Sequence, residues 1–168
     1  LLVERGKHED KVGTTRDSLR YYDVNKLTQM PITSQEGVIL WRAFMAGGST
    51  MVACGNAVRC LEKELRERGV ELGQELAEVE RETGTMPIPE QLLSDGSFQI
   101  RAAAQDLGYR MDPMPKLIAA DKCRRCGHCV LGCKYGAKWT ADDFVDDAKQ
   151  NGAEVRYDVH VQQVLIEK

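Results

Sequence analysis

The sequence predicts an α/β fold, and three observations carry that prediction. It opens on "LLVE", which has the composition of a buried strand. Its middle holds charged, helix-patterned segments ended by glycines. It closes on "AEVRYDVHVQQVLIEK", which alternates apolar and polar residues in two registers, Val159 and Val161, then Val164 and Ile166.

Taken in order, "LLVE" reads as the end of a strand in a larger domain, because no turn or partner precedes it. Residues 7–35 are polar and irregular. "GVILWRAF" (37–44) is an apolar run suited to a second strand, followed by the small, glycine-rich "AGGSTMVACGN". "AVRCLEKELRERG" (57–69) places Leu61 and Leu65 at i, i+4 and predicts a helix ended by Gly69. "ELGQELAEVERETG" predicts a second helical piece, solvated over most of its surface. Pro87 and Pro89 break that pattern, and "SFQIRAAAQDLGY" (97–109) predicts a short helix closed by Gly108. Thr140 is placed to N-cap "ADDFVDDAKQN", with Asp143 at the third helical position, before a stop at Gly152. The final stretch then predicts two short strands, or one strand with a bulge.

The 168-residue length suits one domain, and no repeat, low-complexity tract or Pro/Gly/Ser linker divides it. The formal net charge of −3 leaves the whole chain without an electrostatic footprint for nucleic acid or an anionic membrane. No apolar run reaches the roughly 20 residues of a membrane-spanning helix. "LLVERGKHED" lacks the pattern of a signal peptide, so the expected location is cytoplasmic and reducing. Clustered cysteines in that setting more often hold metal than form disulfides.

Four of the six cysteines fall within "KCRRCGHCVLGCKYGAK" (122–138), as Cys123, Cys126, Cys129 and Cys133 at C-x2-C-x2-C-x3-C. Two-residue gaps let successive thiolates of a curled loop face one centre, and this is the spacing of bacterial ferredoxins, which points to a [4Fe-4S] cluster. Two features depart from that pattern. Lys134 stands where proline usually follows, and the fourth cysteine of the ferredoxin run serves a different cluster. Cys54, Cys60 or a group outside this chain could then supply a ligand, although Cys54 and Cys60 read more readily as small buried residues. Zinc is the main metal alternative, and a disulfide or free thiols also stay open. Lys122, Arg124, Arg125, Lys134 and Lys138 surround the cysteines with no acidic residue, a setting that would raise a cluster's potential or simply form a solvated basic loop. His128 is expected at the surface.

Several segments together carry a resemblance. "LLVERG" resembles the second strand of a dinucleotide-binding fold, whose terminal acid, here Glu4, holds a ribose. "AGGSTMVACGN" is similar to the Gly-Gly-Ser-Ser/Thr segment of glucose-methanol-choline (GMC) oxidoreductases, where backbone and small side chains pass close to FAD. "GCKYGAKWTADDFVDDAKQNGAEVRYDVHVQQVLIEK" resembles that family's later helix and strand, with Val161 matching the valine whose backbone contacts the adenine. A cysteine-rich segment before "GAK" looks like one carried by a subset of GMC-like dehydrogenases.

The resemblance implies a partial Rossmann-like FAD-binding domain spanning 1–168, with a helical insertion and a cysteine-rich loop at 122–138. The G-x-G-x-x-G turn and the substrate domain are absent from the sequence, so the chain is expected to be a fragment that holds FAD weakly or not at all and turns over no alcohol alone. The implied cofactor-binding residues are Glu4, Gly47, Gly48, Ser49, Thr50, Gly55, Asn56 and Val161, with Asn56 either facing the flavin or capping the next helix. The implied reaction moves hydride from the CH–OH carbon of an alcohol-type substrate to flavin N5. Electrons would then leave through the cysteine segment to an acceptor protein or quinone, wiring that favours a dehydrogenase over an oxidase. The rest of the polypeptide is an implied partner. Three other readings compete: a ferredoxin-like electron-transfer module, a zinc-stabilised binding domain, and a flavoprotein reductase acting on isoprenoid double bonds.

Overall fold

A computed structural model describes residues 1–10, 12–25, 27–28 and 30–166. It divides into two units. The first takes the described residues of Leu1–Cys54, Gly127–Lys134 and Thr140–Lys168; the second takes Gly55–Cys126 and Tyr135–Trp139.

In the first unit, strand β1 (Leu2–Val3) pairs in parallel with β4 (Val155–Arg156), Leu2 opposite Val155. Parallel neighbours need a long crossover, and here the whole middle of the chain provides it. The ladder continues past the strand ends. Glu4 N–H donates to the Arg156 carbonyl at 2.9 Å, and the Asp158 and Val159 N–H groups donate to the Gly6 and Glu4 carbonyls at 3.0 and 2.9 Å. Asp158 turns to φ 58°, so the extended segment is interrupted there, ahead of the register change the sequence places between Val161 and Val164. No second strand forms over 161–166.

On the other side of β1, Ala46 N–H donates to the Lys7 carbonyl at 2.9 Å. The chain at Gly6 passes so close to residue 44 that a Cβ there would lie 2.1 Å from the Phe44 carbonyl oxygen. Only glycine fits that crossing.

The run 37–44 is not a strand. It joins residues 21–25 and 31–34 in a ragged antiparallel meander, held by single bridges such as Tyr22 with Ala43 and Thr33 with Ile39. Val38, Ile39 and Trp41 stay exposed, while Ala43 and Met45 are buried. An unbroken apolar run suits a strand covered on both faces, and here only its end is covered. Tyr21, Ala43, Met45, Met51 and Val52 form the core, with Val12 and Tyr22 packed against it. A short helix, α1 (Thr15–Ser18), is capped by the Thr14 hydroxyl, which accepts from Asp17 N–H.

The second unit is built from local elements: α2 (Glu62–Arg66), α3 (Gly73–Glu82), β2 (Met86–Pro87), α4 (Asp95–Asp106) and β3 (Pro115–Lys116). β2 and β3 pair antiparallel, Met86 opposite Lys116. The extended segment 115–119 also receives Ala57 N–H at the Pro115 carbonyl and gives Ala119 N–H to the Ala137 carbonyl.

That pairing shortens the helix expected over 57–69. Ala57 is committed to Pro115, and Leu61 sits at φ 60°, so α2 begins only at Glu62. Asn56 therefore caps no helix; its backbone bridges Lys116. α3 and α4 follow the sequence pattern. Ser94 caps α4 through its hydroxyl, and the glycines at 84 and 108 stop the two helices in the left-handed region. Ile118, Ala137, Thr83 and Lys138 are the buried side chains of this unit among the described residues.

Helix α5 (Asp142–Gln150) belongs to the first unit and leads into β4 after Gly152. Thr140 does not cap it with its hydroxyl; the acceptor comes from Thr50, whose Oγ1 receives Ala141 N–H at 2.9 Å. No helix among the described residues is long and apolar enough to cross a membrane.

Candidate functional site

The first unit brings several of the sequence-marked residues to the end of β1. Glu4 follows the strand, and its Oε1 accepts Gly6 N–H at 2.5 Å. That bond folds the carboxylate back over the strand end and fixes its orientation. A carboxylate offers about four acceptor positions, so one internal bond leaves capacity for two ribose hydroxyls. The bond from Val159 N–H to the Glu4 carbonyl brings Val159 beside the strand end that carries the acid. Val161 itself is exposed and lies outside any strand.

The "GGST" segment is structured by its own side chains. It forms a 3-10 turn over Gly48–Val52, with Gly47 at φ 77°. Thr50 Oγ1 donates to the Gly47 carbonyl at 2.5 Å while accepting Ala141 N–H, and Ser49 Oγ accepts Ala43 N–H at 3.3 Å. The two glycines differ. A Cβ on Gly47 would stand 2.8 Å from Asp142 N, so this glycine lets the turn meet the start of α5. A Cβ on Gly48 would meet nothing within 4 Å, which leaves its backbone accessible from outside.

Beside this turn, Asp142 Oδ1 is buried without a hydrogen-bond partner, and Oδ2 lies 3.5 Å from His8 Nε2. His8 Nδ1 lies 3.2 Å from Asp10, and its ring is 6.0 Å from that of Tyr157, whose hydroxyl is also buried and unpartnered. Gly6, His8 and Asp142 were not singled out by sequence reasoning. For Gly6 a signal existed, since it closes the quoted "LLVERG"; for His8 and Asp142 none did, because tertiary contacts alone bring them together.

Gly55 and Asn56 belong to the second unit. Gly55 backs onto the Lys138 stem, 3.2 Å from where its Cβ would be, and Asn56 Oδ1 accepts Lys116 Nζ at 2.7 Å.

The cysteines divide between the units. Cys123 and Cys126 fall in the second, Cys129 and Cys133 in the first. Cys129 opens a 3-10 turn (Cys129–Leu131) that is firmly anchored. Buried Tyr21 donates to the Leu131 carbonyl at 2.7 Å, Tyr22 donates to the Val130 carbonyl, and Gly13 N–H reaches the Leu131 carbonyl at 2.6 Å. Burial pushes both tyrosine hydroxyls above their ordinary pKa, so they stay protonated donors. Among the described residues no three His, Cys, Asp or Glu side chains are gathered as a metal site. Each unit holds only two of the four cysteines, and the C-x2-C-x2-C-x3-C spacing alone carries the four-thiolate reading. Cys54 and Cys60, expected to be buried, are exposed, and His128 is exposed as expected.

Comparison with protein families adds a match over residues 24–168 to GMC oxidoreductase. The chain belongs to the GMC oxidoreductase family. Its match takes in "GGST", the cysteine segment, α5 and β4, and leaves out Glu4, which precedes it. No curated protein matches the chain. The GMC N-terminal domain is a Rossmann-like, FAD-binding domain of FAD-dependent oxidoreductases; here the chain shows mixed helices and strands in two small sheets.

Proposed function

We propose that the end of β1, segment 159–161 and the Gly47–Thr50 turn hold the FAD of a GMC-type dehydrogenase acting on a CH–OH group. The observation that carries this reading is the placement of Glu4: a carboxylate at the C-terminal end of a parallel strand, oriented by Gly6 N–H, with Val159 N–H bonded to its main-chain carbonyl. Bound there, FAD would supply two-electron oxidation of the alcohol carbon.

The chain's own residues do the rest. Glu4 accepts the ribose hydroxyls and, by requiring a donor on each, selects a sugar over a phosphate. The backbone around Val161 offers its amide and carbonyl to the adenine edge. Gly48 allows close main-chain approach, and Thr50 keeps the turn rigid by bonding both Gly47 and Ala141. Gly55 and Asn56 belong to the proposed set through the family resemblance. The expected substrate class is an alcohol-type small molecule, and the expected acceptor a redox protein or quinone.

What supports an iron-sulfur site is the C-x2-C-x2-C-x3-C spacing alone. No electron-transfer step is derived through it. Iron and acid-labile sulfide with broad visible absorption would support it, whereas colourless protein carrying zinc would favour the structural alternative.

An NMR titration with FAD tests the cofactor reading. Amide shifts are expected at Glu4 to Gly6, Gly47 to Thr50 and 159–161. Shifts absent from all three segments at saturating FAD would overturn it.

A further inference from the structure

The second unit contains a pocket of about 310 Å³, near the lower end of the range in which small molecules bind. Ile88, Leu93, Met111 and Met114 supply its apolar wall, and Arg101 and Lys116 its cations. We propose that this pocket binds a small monocarboxylate with an apolar body, through the guanidinium of Arg101.

Arg101 is the anchor because of where it sits and what it leaves unspent. Its side chain is 24% exposed, projects from the Ser94-capped helix α4, and lies 5.1 Å over the Phe98 ring. Its Nη2 already donates to Glu90 Oε1 at 2.8 Å in an ion pair at the edge of the side chain, which leaves the other N–H donors of the fork for a ligand. A guanidinium carries five N–H donors in a planar fork, and buried donors seek acceptors. A carboxylate matches that fork with two parallel charge-assisted bonds.

The remaining polar groups agree with a single negative charge. Lys116 Nζ donates to Asn56 Oδ1 at 2.7 Å, which fixes its position on the wall. Asp112, the one acid on the lining, is neutralised by Arg110 at 2.6 Å. Ser97 is already engaged with the Ser94 hydroxyl at 3.0 Å. The walls are rich in methionine, which adapts to apolar shapes and offers nothing to a phosphate. Asn56 is the single residue shared with the proposed flavin set, so this site stands independently of Glu4 and the flavin reading.

Calorimetric titration of the full chain with octanoate, octanol and inorganic phosphate tests the proposal. Octanoate is expected to bind at least roughly tenfold more tightly than either of the others, in line with one or two charge-assisted bonds. Arg101→Gln should bring octanoate down to the affinity of octanol with the thermal melt unchanged, and Arg101→Lys should fall between. Octanoate binding no better than octanol or phosphate, or binding unaffected by Arg101→Gln, would overturn it. The wild-type comparison of the three ligands decides the question even if the glutamine variant fails to fold.

Discussion

The two units of this chain differ in where glycine is sterically required. In the first, three glycines sit where segments distant in sequence nearly touch: a Cβ would lie 2.1 Å from a neighbour at Gly6, 2.8 Å at Gly47 and 2.7 Å at Gly132. In the second, Gly69, Gly84 and Gly108 end helices and face open space. The first unit is therefore held by long-range backbone proximity around an aromatic and methionine core, and the second by helices that carry their own stop signals. The family-type cofactor residues concentrate in the first unit, where rigid crossings can aim a backbone at a ligand.

One substitution type separates the two modes. Gly6→Ala forces a methyl into the Phe44 carbonyl and should cost about 3 kcal/mol or more in urea denaturation. Tyr21→Phe comes next: it removes the donor to Leu131 within the core and should cost about 1.5 kcal/mol, leaving the carbonyl unpaired. Gly84→Ala meets no atoms, so only its left-handed φ of 64° is penalised, by about 1 kcal/mol. A Gly84 effect as large as that of Gly6 would break the comparison.

The smallest effect is expected at the exposed pair on the second unit's surface, where Arg59 meets Glu80 through two bonds of 2.7 Å. The hydrogen bonds from Arg59 hold the Glu80 carboxyl below its usual pKa. A carboxyl lowered by folding stabilises above its ordinary range and loses that contribution as pH falls through the lowered value. Solvent screens the pair, so Glu80→Gln should change stability only marginally, and the change should fade as salt is added or the pH is brought below the carboxylate range. A large, salt-independent loss would show that α3 depends on this pair.

What could be read from the sequence follows the same division. Helices α3 and α4 were legible because their charge pattern and terminal glycines are local signals. Strand β1 was legible from the composition of "LLVE", whereas β4 forms at Val155–Arg156, ahead of the alternation at Val159–Ile166 from which a strand was expected. The run 37–44 misled, since apolarity does not reveal that only Ala43 of the run would be buried. The helix expected from Ala57 starts late because Pro115 claims that backbone, and the Thr140 cap is not made because Asp143 N–H bonds to the Thr140 main-chain carbonyl instead of its hydroxyl. In the candidate site the strand-end position of Glu4 was legible, whereas Gly6, whose N–H orients its carboxylate, was not singled out.

The central claim is that Glu4 recognises the ribose of FAD. Glutamine at this position keeps an oxygen for Gly6 N–H while removing the charge, so Glu4→Gln tests recognition with the strand end preserved. Measured by titration of FAD into both proteins, the dissociation constant should rise at least roughly tenfold in Glu4→Gln, as expected for losing charge-assisted bonds. An equal dissociation constant for the two proteins would contradict the claim.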